Sequence, residues 1–481
     1  MNVLAIDQGT SSTKALVIGE AGEVLSLAES TVAVRSIPGG GIEQDTTQLW
    51  NSVVEAGSRA VAEAGVGVSV VGFANQGETV LAWDRASGRP LSTAISWQDR
   101  RAKTVSDRLL NRAGELTAIS GLPLDPYFAG PKMTWLRENA TRKGVITTTD
   151  SWLIHQMTGA YVTDATTASR TMLVDLKART WSPVACEAFG LELSQLPDIV
   201  GCAEPIEVTD VFGSPMTVTG LCVDQQAALV GERCLEQGDA KCTFGTGAFL
   251  LANSGDEARW SRSGLSASIA WQLGDSAAYC VDGQVYTAGE AIAWLCRWGF
   301  LAKPEDLDVV GGSVRDSAGI TVVPAMCGLG APWWRPEALA SIEGISLSVD
   351  RAHVVRATIE GLAAQVALLA RAAGQDLGVP LTRLQVDGGL TRSRVLMQTQ
   401  ADLLQIPVEV APSPHATAMG VGALARLGAG DGKTLYEVVP ALHSVQSYQP
   451  AIEADEAAER LARFEEAVDR CLSERGATGR E

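Results

Sequence analysis

Apolar residues in this chain come in short runs that end on glycine, hydroxyl and charged residues. The first run, Val3-Leu4-Ala5-Ile6, leads directly into Asp7-Gln8-Gly9-Thr10-Ser11-Ser12-Thr13-Lys14. Residues 2–6, 14–18 and 24–34 read as consecutive strands, with Gly19 and Glu20-Ala21-Gly22 marking a turn. Asp45 offers a helix N-cap and Gln48 completes a capping-box pattern. Leu49, Val53, Ala56, Ala60 and Val61 follow at helical spacing. Val68–Ala74 predicts the next buried strand, which runs into Asn75-Gln76-Gly77-Glu78-Thr79.

The same grammar returns after the midpoint. Lys241-Cys242-Thr243-Phe244 leads to Gly245-Thr246-Gly247 and then to the apolar run Ala248–Ala252, again strand, glycine–hydroxyl turn and strand. His353–Ala373 carries helical periodicity through Val355, Ile359, Leu362, Val366 and Leu369. Arg383–Val386 predicts a strand ending in Asp387-Gly388-Gly389, followed by a helix with Leu396, Leu403 and Leu404 on its apolar side. Two halves that each open on a hairpin with a phosphate-type turn suggest duplication of one α/β unit. The change of domain is placed near residues 231–238, dividing the chain into 1–235 and 236–481 across a cleft.

Length agrees with that division, because 481 residues exceed what one core usually organises. The hydrophobic fraction of 46% and charged fraction of 20% are those of an ordinary globular protein. A net charge of −18 argues against a nucleic-acid partner and against an anionic membrane surface. No apolar stretch approaches the ~20 residues needed to span a bilayer, and Asp7 interrupts the first apolar run too early for a signal peptide. The nine cysteines include no C-x-x-C pair, and reduced thiols in a cytoplasmic setting are expected. His155, His353, His415 and His443 are too scattered for a histidine metal site.

Phosphoryl transfer to a hydroxyl needs a phosphate cradle, a metal-binding carboxylate, a base beside the acceptor and a way to exclude water. Asp7–Lys14 and Gly245-Thr246-Gly247 offer the cradle and an acid for Mg²⁺, since glycine admits backbone N–H groups to phosphate oxygens. The first segment also fits a plain hairpin. Asp224 is a candidate base, at the end of the apolar run Thr217–Val223 and the start of an apolar helix, where the helix dipole favours its ionised form. It also fits a helix cap.

Taken together, these residues resemble the FGGY carbohydrate kinases, and within them the glycerol kinases. The resemblance runs nearly end to end, from AIDQGTSSTKA and NQGET through AISWQDRR, LDPYFAGPKMTWL, DSWLIHQMTG and TDATTASRTML. It continues through GLCVDQQAALVG, KCTFGTGAF and VVPAMCGLGAPWW to VDGGLTRSRVLMQTQADLL. It implies a two-domain actin-like, hexokinase-like (ribonuclease H-like) α/β ATPase fold with the active site in the interdomain cleft. It also implies ATP and Mg²⁺ as cofactors and a small polyol or sugar as substrate. By position, Asp7 matches the metal-associated acid, and Thr10, Ser11 and Lys14 match the first phosphate loop. Thr246 and Gly247 match the second, and Gly289 follows in the nucleotide half. Gly388, Gly389 and Ser393 match the adenosine segment, although the family's usual asparagine is Ser393 here. Asp224 matches the catalytic base, while Glu78, Trp97, Tyr127, Gln225 and Phe249 match polyol-pocket residues. A homodimer is expected. The alternatives are a ketose kinase of the xylulose or ribulose type, a non-catalytic sensor, or an actin-like ATPase without a sugar substrate.

One departure bears on the substrate. Glycerol kinases typically read NQRET, with an arginine that grips substrate hydroxyls, and this chain has Gly77 there. A hydrogen bond to a charged group is worth roughly 1.5–3 kcal/mol, so its loss points to a longer or differently branched acceptor. The alternative is that Arg100 or Arg101 takes over. Residues 208–216 lack the glycine- and lysine-rich loop of many glycerol kinases, so regulation by a sugar bisphosphate is not expected. Leu339-Ala340 replaces a usual arginine-glycine without functional meaning that the sequence reveals.

Overall fold

The computed structural model describes residues 1–473 apart from Gly39, Leu442 and His443. His443, one of the four histidines considered above, therefore lies outside the described residues, as do residues 474–481.

The opening apolar runs fold as a meander. Strands β1 (Val3–Gln8), β2 (Ser12–Ile18) and β3 (Val24–Thr31) pair antiparallel. The predicted strand 24–34 breaks after Thr31, and Val34–Ile37 joins a separate five-stranded sheet. Helix α1 (Thr46–Ala64) is capped by Asp45, which accepts from Gln48 N at 3.1 Å. The Gln48 side chain does not complete the box. It accepts from Ala33 N at 3.2 Å instead, tying the helix start to the strand break. Strand β4 (Val70–Asn75) lies parallel to β1, and β5 (Met216–Val223) lies parallel to β4. The order β3-β2-β1-β4-β5 brings the ends of β1, β4 and β5 to one edge. Helix α2 (Asp224–Gly231) follows β5 immediately.

The second half repeats this plan. Strands β6 (Ala240–Phe244), β7 (Ala248–Gly255), β8 (Ser266–Leu273) and β9 (Ser276–Val285) pair antiparallel in the order β8-β9-β7-β6. Helices α3 (Gly289–Arg297) and α4 (Arg351–Leu377) come next. Strand β10 (Leu384–Asp387) then lies parallel to β6, helix α5 (Arg394–Leu404) follows, and β11 (Val408–Val410) lies parallel to β10. The order β9-β7-β6-β10-β11 thus reproduces β3-β2-β1-β4-β5, the duplicated unit of a two-domain actin-like ATPase fold.

Helix α4 is long and apolar enough to cross a bilayer by length and composition, contrary to the sequence expectation. Its apolar character is spread over a whole amphipathic helix rather than one contiguous run. It serves as core, with 83% of its most apolar window buried in the second half. Helix α6 (Ala416–Gly428) returns from the second half to pack on β1, β4 and β5 and against α2. The α2–α6 crossing is close: a Cβ on Gly420 would lie 1.8 Å from Ala227 O, and one on Gly231 would lie 2.0 Å from Ala416 O.

Candidate active site

The two hairpin turns face each other across one cavity of about 280 Å³. In the first, Asp7 pairs with Lys14 and Gln8 with Thr13 across the β1–β2 ladder, and Gly9 N donates to Ser12 O at 3.0 Å. Thr10, Ser11 and Lys14 line the cavity. In the second, Gly245 N donates to Gly247 O at 2.9 Å, and Gly245 and Thr246 line the opposite side. The carbonyls of this turn also anchor the start of α3, accepting from Ala288 N at 2.9 Å and Gly289 N at 3.0 Å. Gly388 adjoins the same turn with φ +94°, and a Cβ there would meet Phe244 O at 2.4 Å, so only glycine fits.

Three carboxylates converge on this region. Asp7 is the penultimate residue of β1 and Asp224 opens α2, both half-buried in the cavity, while Asp387 ends β10. Desolvation raises Asp7 to about 6, against the lowering pull of Lys14, with the Asp387 charge adding to the rise. Desolvation likewise raises Asp224 to about 7, reinforced by Asp7 and Glu78 and opposed by Lys241. Asp387 is buried beside the Glu232 carboxyl, which desolvation and the Asp387 charge push well above the usual carboxylate range. A group of hard oxygen donors in surplus over nearby cations suits Mg²⁺. Gln225 N donates to Asp224 Oδ1 at 2.7 Å, so the carboxylate is oriented by its own helix start while remaining in the cavity. The fully buried Lys241 donates to Gln225 Oε1 at 2.5 Å and to Thr243 Oγ1 at 2.8 Å, which leaves the Gln225 amide nitrogen to face the cavity.

The remaining wall is aromatic and ionic. Trp97 meets Tyr127 and Phe249 edge to face, with centroids 5.9 and 5.7 Å apart. Its indole N–H donates to Thr10 Oγ1 at 2.9 Å, joining the aromatic wall to the first turn. Glu78 sits beside Gly77 with φ +56°, a region that non-glycine residues adopt only in a few per cent of cases. Its carboxylate accepts from Arg170 Nε at 2.6 Å, and Arg170 Nη1 reaches Asp282 Oδ1 at 2.6 Å. This buried bridge ties the first half to strand β9. Beneath Tyr127, the ammonium of fully buried Lys132 donates to the carbonyls of Pro126 at 3.0 Å, Phe128 at 2.9 Å and Tyr127.

The structure thus brings Asp7, Thr10, Ser11, Lys14, Gly77, Glu78, Trp97, Tyr127, Asp224, Gln225, Thr246 and Phe249 to one cavity. Gly247, Gly289, Gly388, Gly389 and Ser393 do not line it. Ser393 caps α5, accepting from Leu396 N at 3.1 Å and donating to Asp308. Neither Arg100 nor Arg101 takes the place left by Gly77. Arg100 donates to Asp125 at 2.9 Å and lies over the Tyr286 ring, and Arg101 is held by Asp99 and Glu43. The guanidinium that does line the cavity is Arg170. Sequence reading quoted its segment without assigning it a role, and it passed over Asp282 and Lys241 as well. Their one signal was charge inside apolar surroundings.

The profile of the FGGY family of carbohydrate kinases matches the chain twice, its N-terminal domain over residues 2–231 and its C-terminal domain over 240–429. The glycerol kinase of Ralstonia nicotianae is 37% identical over 485 residues, covering 97% of each chain. That of Thermus brockianus is 39% identical over 445 residues, covering 89% of this chain and 90% of its own. Among solved structures, the glycerol kinase of Plasmodium falciparum with ADP aligns at a TM-score of 0.90 and 28% identity, covering 98% of both chains. A ligand-bound xylulose kinase of Lactobacillus acidophilus shares the fold at a TM-score of 0.87 and 20% identity, covering 99% of both. Matched along nearly its whole length and over both halves, the chain belongs to the FGGY family of carbohydrate kinases and is glycerol-kinase-like within it.

Proposed function

We propose that the protein transfers the γ-phosphoryl group of ATP, in the cytoplasm, to a hydroxyl of a small polyol or sugar with a longer chain than glycerol. The chief support is one arrangement: turns from both halves open onto the Asp224 carboxylate beside a wall of aromatics and acids. Thr10, Ser11 and Lys14 hold the phosphates from one side and Thr246 from the other, on a turn that Gly247 closes by accepting from Gly245 N. Gly289, Gly388, Gly389 and Ser393 seat the adenosine. Asp7 would hold Mg²⁺, which would neutralise charge on the phosphate oxygens.

Asp224 accepts the proton of the attacking hydroxyl as that oxygen bonds to the γ-phosphorus and ADP departs. At about 7, it is basic enough to take the proton and still largely ionised above neutral pH. Glu78 and the Gln225 amide fix substrate hydroxyls, and Trp97, Tyr127 and Phe249 cover the C–H edges. A filament-forming ATPase has no use for such a wall.

The longer acceptor follows from Gly77. Among the described residues the one guanidinium on the cavity is that of Arg170, whose Nε and Nη1 are committed to Glu78 and Asp282 rather than taking the place of the missing arginine. Coupled ADP release across glycerol, tetritols, pentitols and ketoses tests this. A four- or five-carbon acceptor is expected to exceed glycerol in kcat/KM by about tenfold or more. Glycerol giving the highest value by a wide margin contradicts the chain-length reading, and no release with any acceptor contradicts the polyol reading.

A further inference from the structure

Gln284 lies two residues beyond Asp282 on β9, so both side chains leave the same face of the strand and line the cavity. Asp282 is clamped by Arg170 Nη1 at 2.6 Å and is also approached by the Ser268 hydroxyl. The Gln284 amide nitrogen donates to Asp282 Oδ2. A carboxylate paired with a guanidinium can only accept, which fixes the orientation of the amide: nitrogen toward Asp282, oxygen away from it. That oxygen, Gln284 Oε1, has no hydrogen-bond partner although the residue is 1% exposed. Buried polar atoms are nearly always paired, so an orphan acceptor on a residue that lines the cavity calls for a donor, and a ligand in the cavity can supply one.

Its neighbours indicate what kind of donor. Phe249 is the cross-strand partner of Gln284. Phe249 meets Trp97, and Trp97 meets Tyr127, so the orphan oxygen belongs to a box of aromatic faces suited to C–H edges. Glu78 and Asp282 share Arg170, and Gln284 is held by Asp282. Gln284 therefore enters the cavity from β9 of the second half, whereas Asp224 and Glu78 enter it from the first.

We propose that Gln284 is a specificity-determining residue whose Oε1 accepts a hydrogen bond from a hydroxyl on the fourth or a later carbon of the acceptor. This rests on the reading of the cavity as a polyol site and names the group that measures chain length within it. Glycerol, with three carbons, leaves Oε1 unpaired. A tetritol or pentitol held at the Asp224 end carries a further hydroxyl to it, in space that Gly77 keeps free of a long side chain.

The test is the ratio of kcat/KM for tetritols and pentitols over that for glycerol, in the wild type, Gln284→Met and Gln284→Asn. Methionine keeps the length and removes the acceptor, whereas asparagine keeps the amide and withdraws it. The ratio is expected to fall about tenfold or more in both variants. A ratio within about twofold of wild type in both overturns the proposal. If glycerol is the best acceptor of the wild type, the chain-length reading fails, yet the change in ratio still decides the role of Gln284. If no acceptor turns over, calorimetric titration of erythritol and ribitol into wild type and Gln284→Met decides instead. About tenfold weaker binding to the variant supports the proposal. Equal binding to both, or none to the wild type, overturns it.

Discussion

Asp224 and Asp7 destabilise the fold that holds them. Their carboxyls are raised to about 7 and about 6 from 3.8, chiefly by desolvation, with the charges of Asp7 and Glu78 adding to the rise at Asp224 and those of Asp387 and Glu29 to the rise at Asp7. Between about pH 4 and pH 7 the folded state therefore holds more protons than the unfolded chain, so stability falls as pH rises through that window. Asp224→Asn removes this penalty. It is expected to raise the Tm of the metal-free protein by a few degrees at pH 8 and to leave it nearly unchanged at pH 4; a lower Tm at pH 8 contradicts the electrostatic account. In the wild type, kcat/KM for the acceptor is expected to decline below about pH 7, where Asp224 becomes protonated. A profile flat from pH 5.5 to 8 contradicts it. Lys132 acts less directly, by gathering the carbonyls of residues 126–128 beneath Tyr127. Lys132→Met leaves them without that donor, and KM for the acceptor is expected to rise about tenfold while KM for ATP moves less than about threefold. Equal rises in both point to general unfolding. At this scale the placing of Asp224, Trp97 and Glu78 on one cavity could be expected from the sequence because each sits inside a short motif. Arg170 was not, because its partners Glu78 and Asp282 are 92 and 112 residues away in sequence and only the fold assembles the bridge.

Most strands were visible as apolar runs ending on turn residues, because a strand buried on both faces needs no alternation. The break after Thr31 was not, since nothing in Val32 or Ala33 announces it. Nor was the return of α6 to the first sheet, for an amphipathic helix does not state which sheet it covers. The α2–α6 crossing depends on Gly231 and Gly420, and α2 carries Asp224 at its start. Gly420→Ala drives a methyl group to within 1.8 Å of Ala227 O and is expected to destabilise the protein by about 1–3 kcal/mol. It should also lower kcat, because α2 must shift. Gly114→Ala is the control: it lies in the helix Ala113–Ser120 with nothing within 4 Å of the added methyl. It should leave stability equal or up to about 1 kcal/mol higher. Thermal melts of the two variants decide, and equal Tm values contradict the crossing's role.

Across the whole molecule, each half contributes a turn and an acid, and neither alone forms the site. Arg170 to Asp282 and Trp97 to Phe249 are contacts between the halves at the cavity itself. In the proposed reaction such a seam would exclude water from the reacting groups once substrate fills the space between them. The duplicated plan could be read from the sequence because the same run of strand, polar turn and strand occurs twice. The chain length of the acceptor could only be suspected at Gly77, since a missing side chain does not reveal what its neighbours do. The most direct test of the central claim is the rate of ADP release from Mg-ATP with the best acceptor, in wild type and Asp224→Asn, alongside ATP affinity by calorimetry. With Asp224 as the base, the rate is expected to fall about a hundred- to ten-thousandfold while ATP affinity stays within about threefold. A variant that keeps a near-wild-type rate, or that loses ATP binding together with turnover, contradicts it.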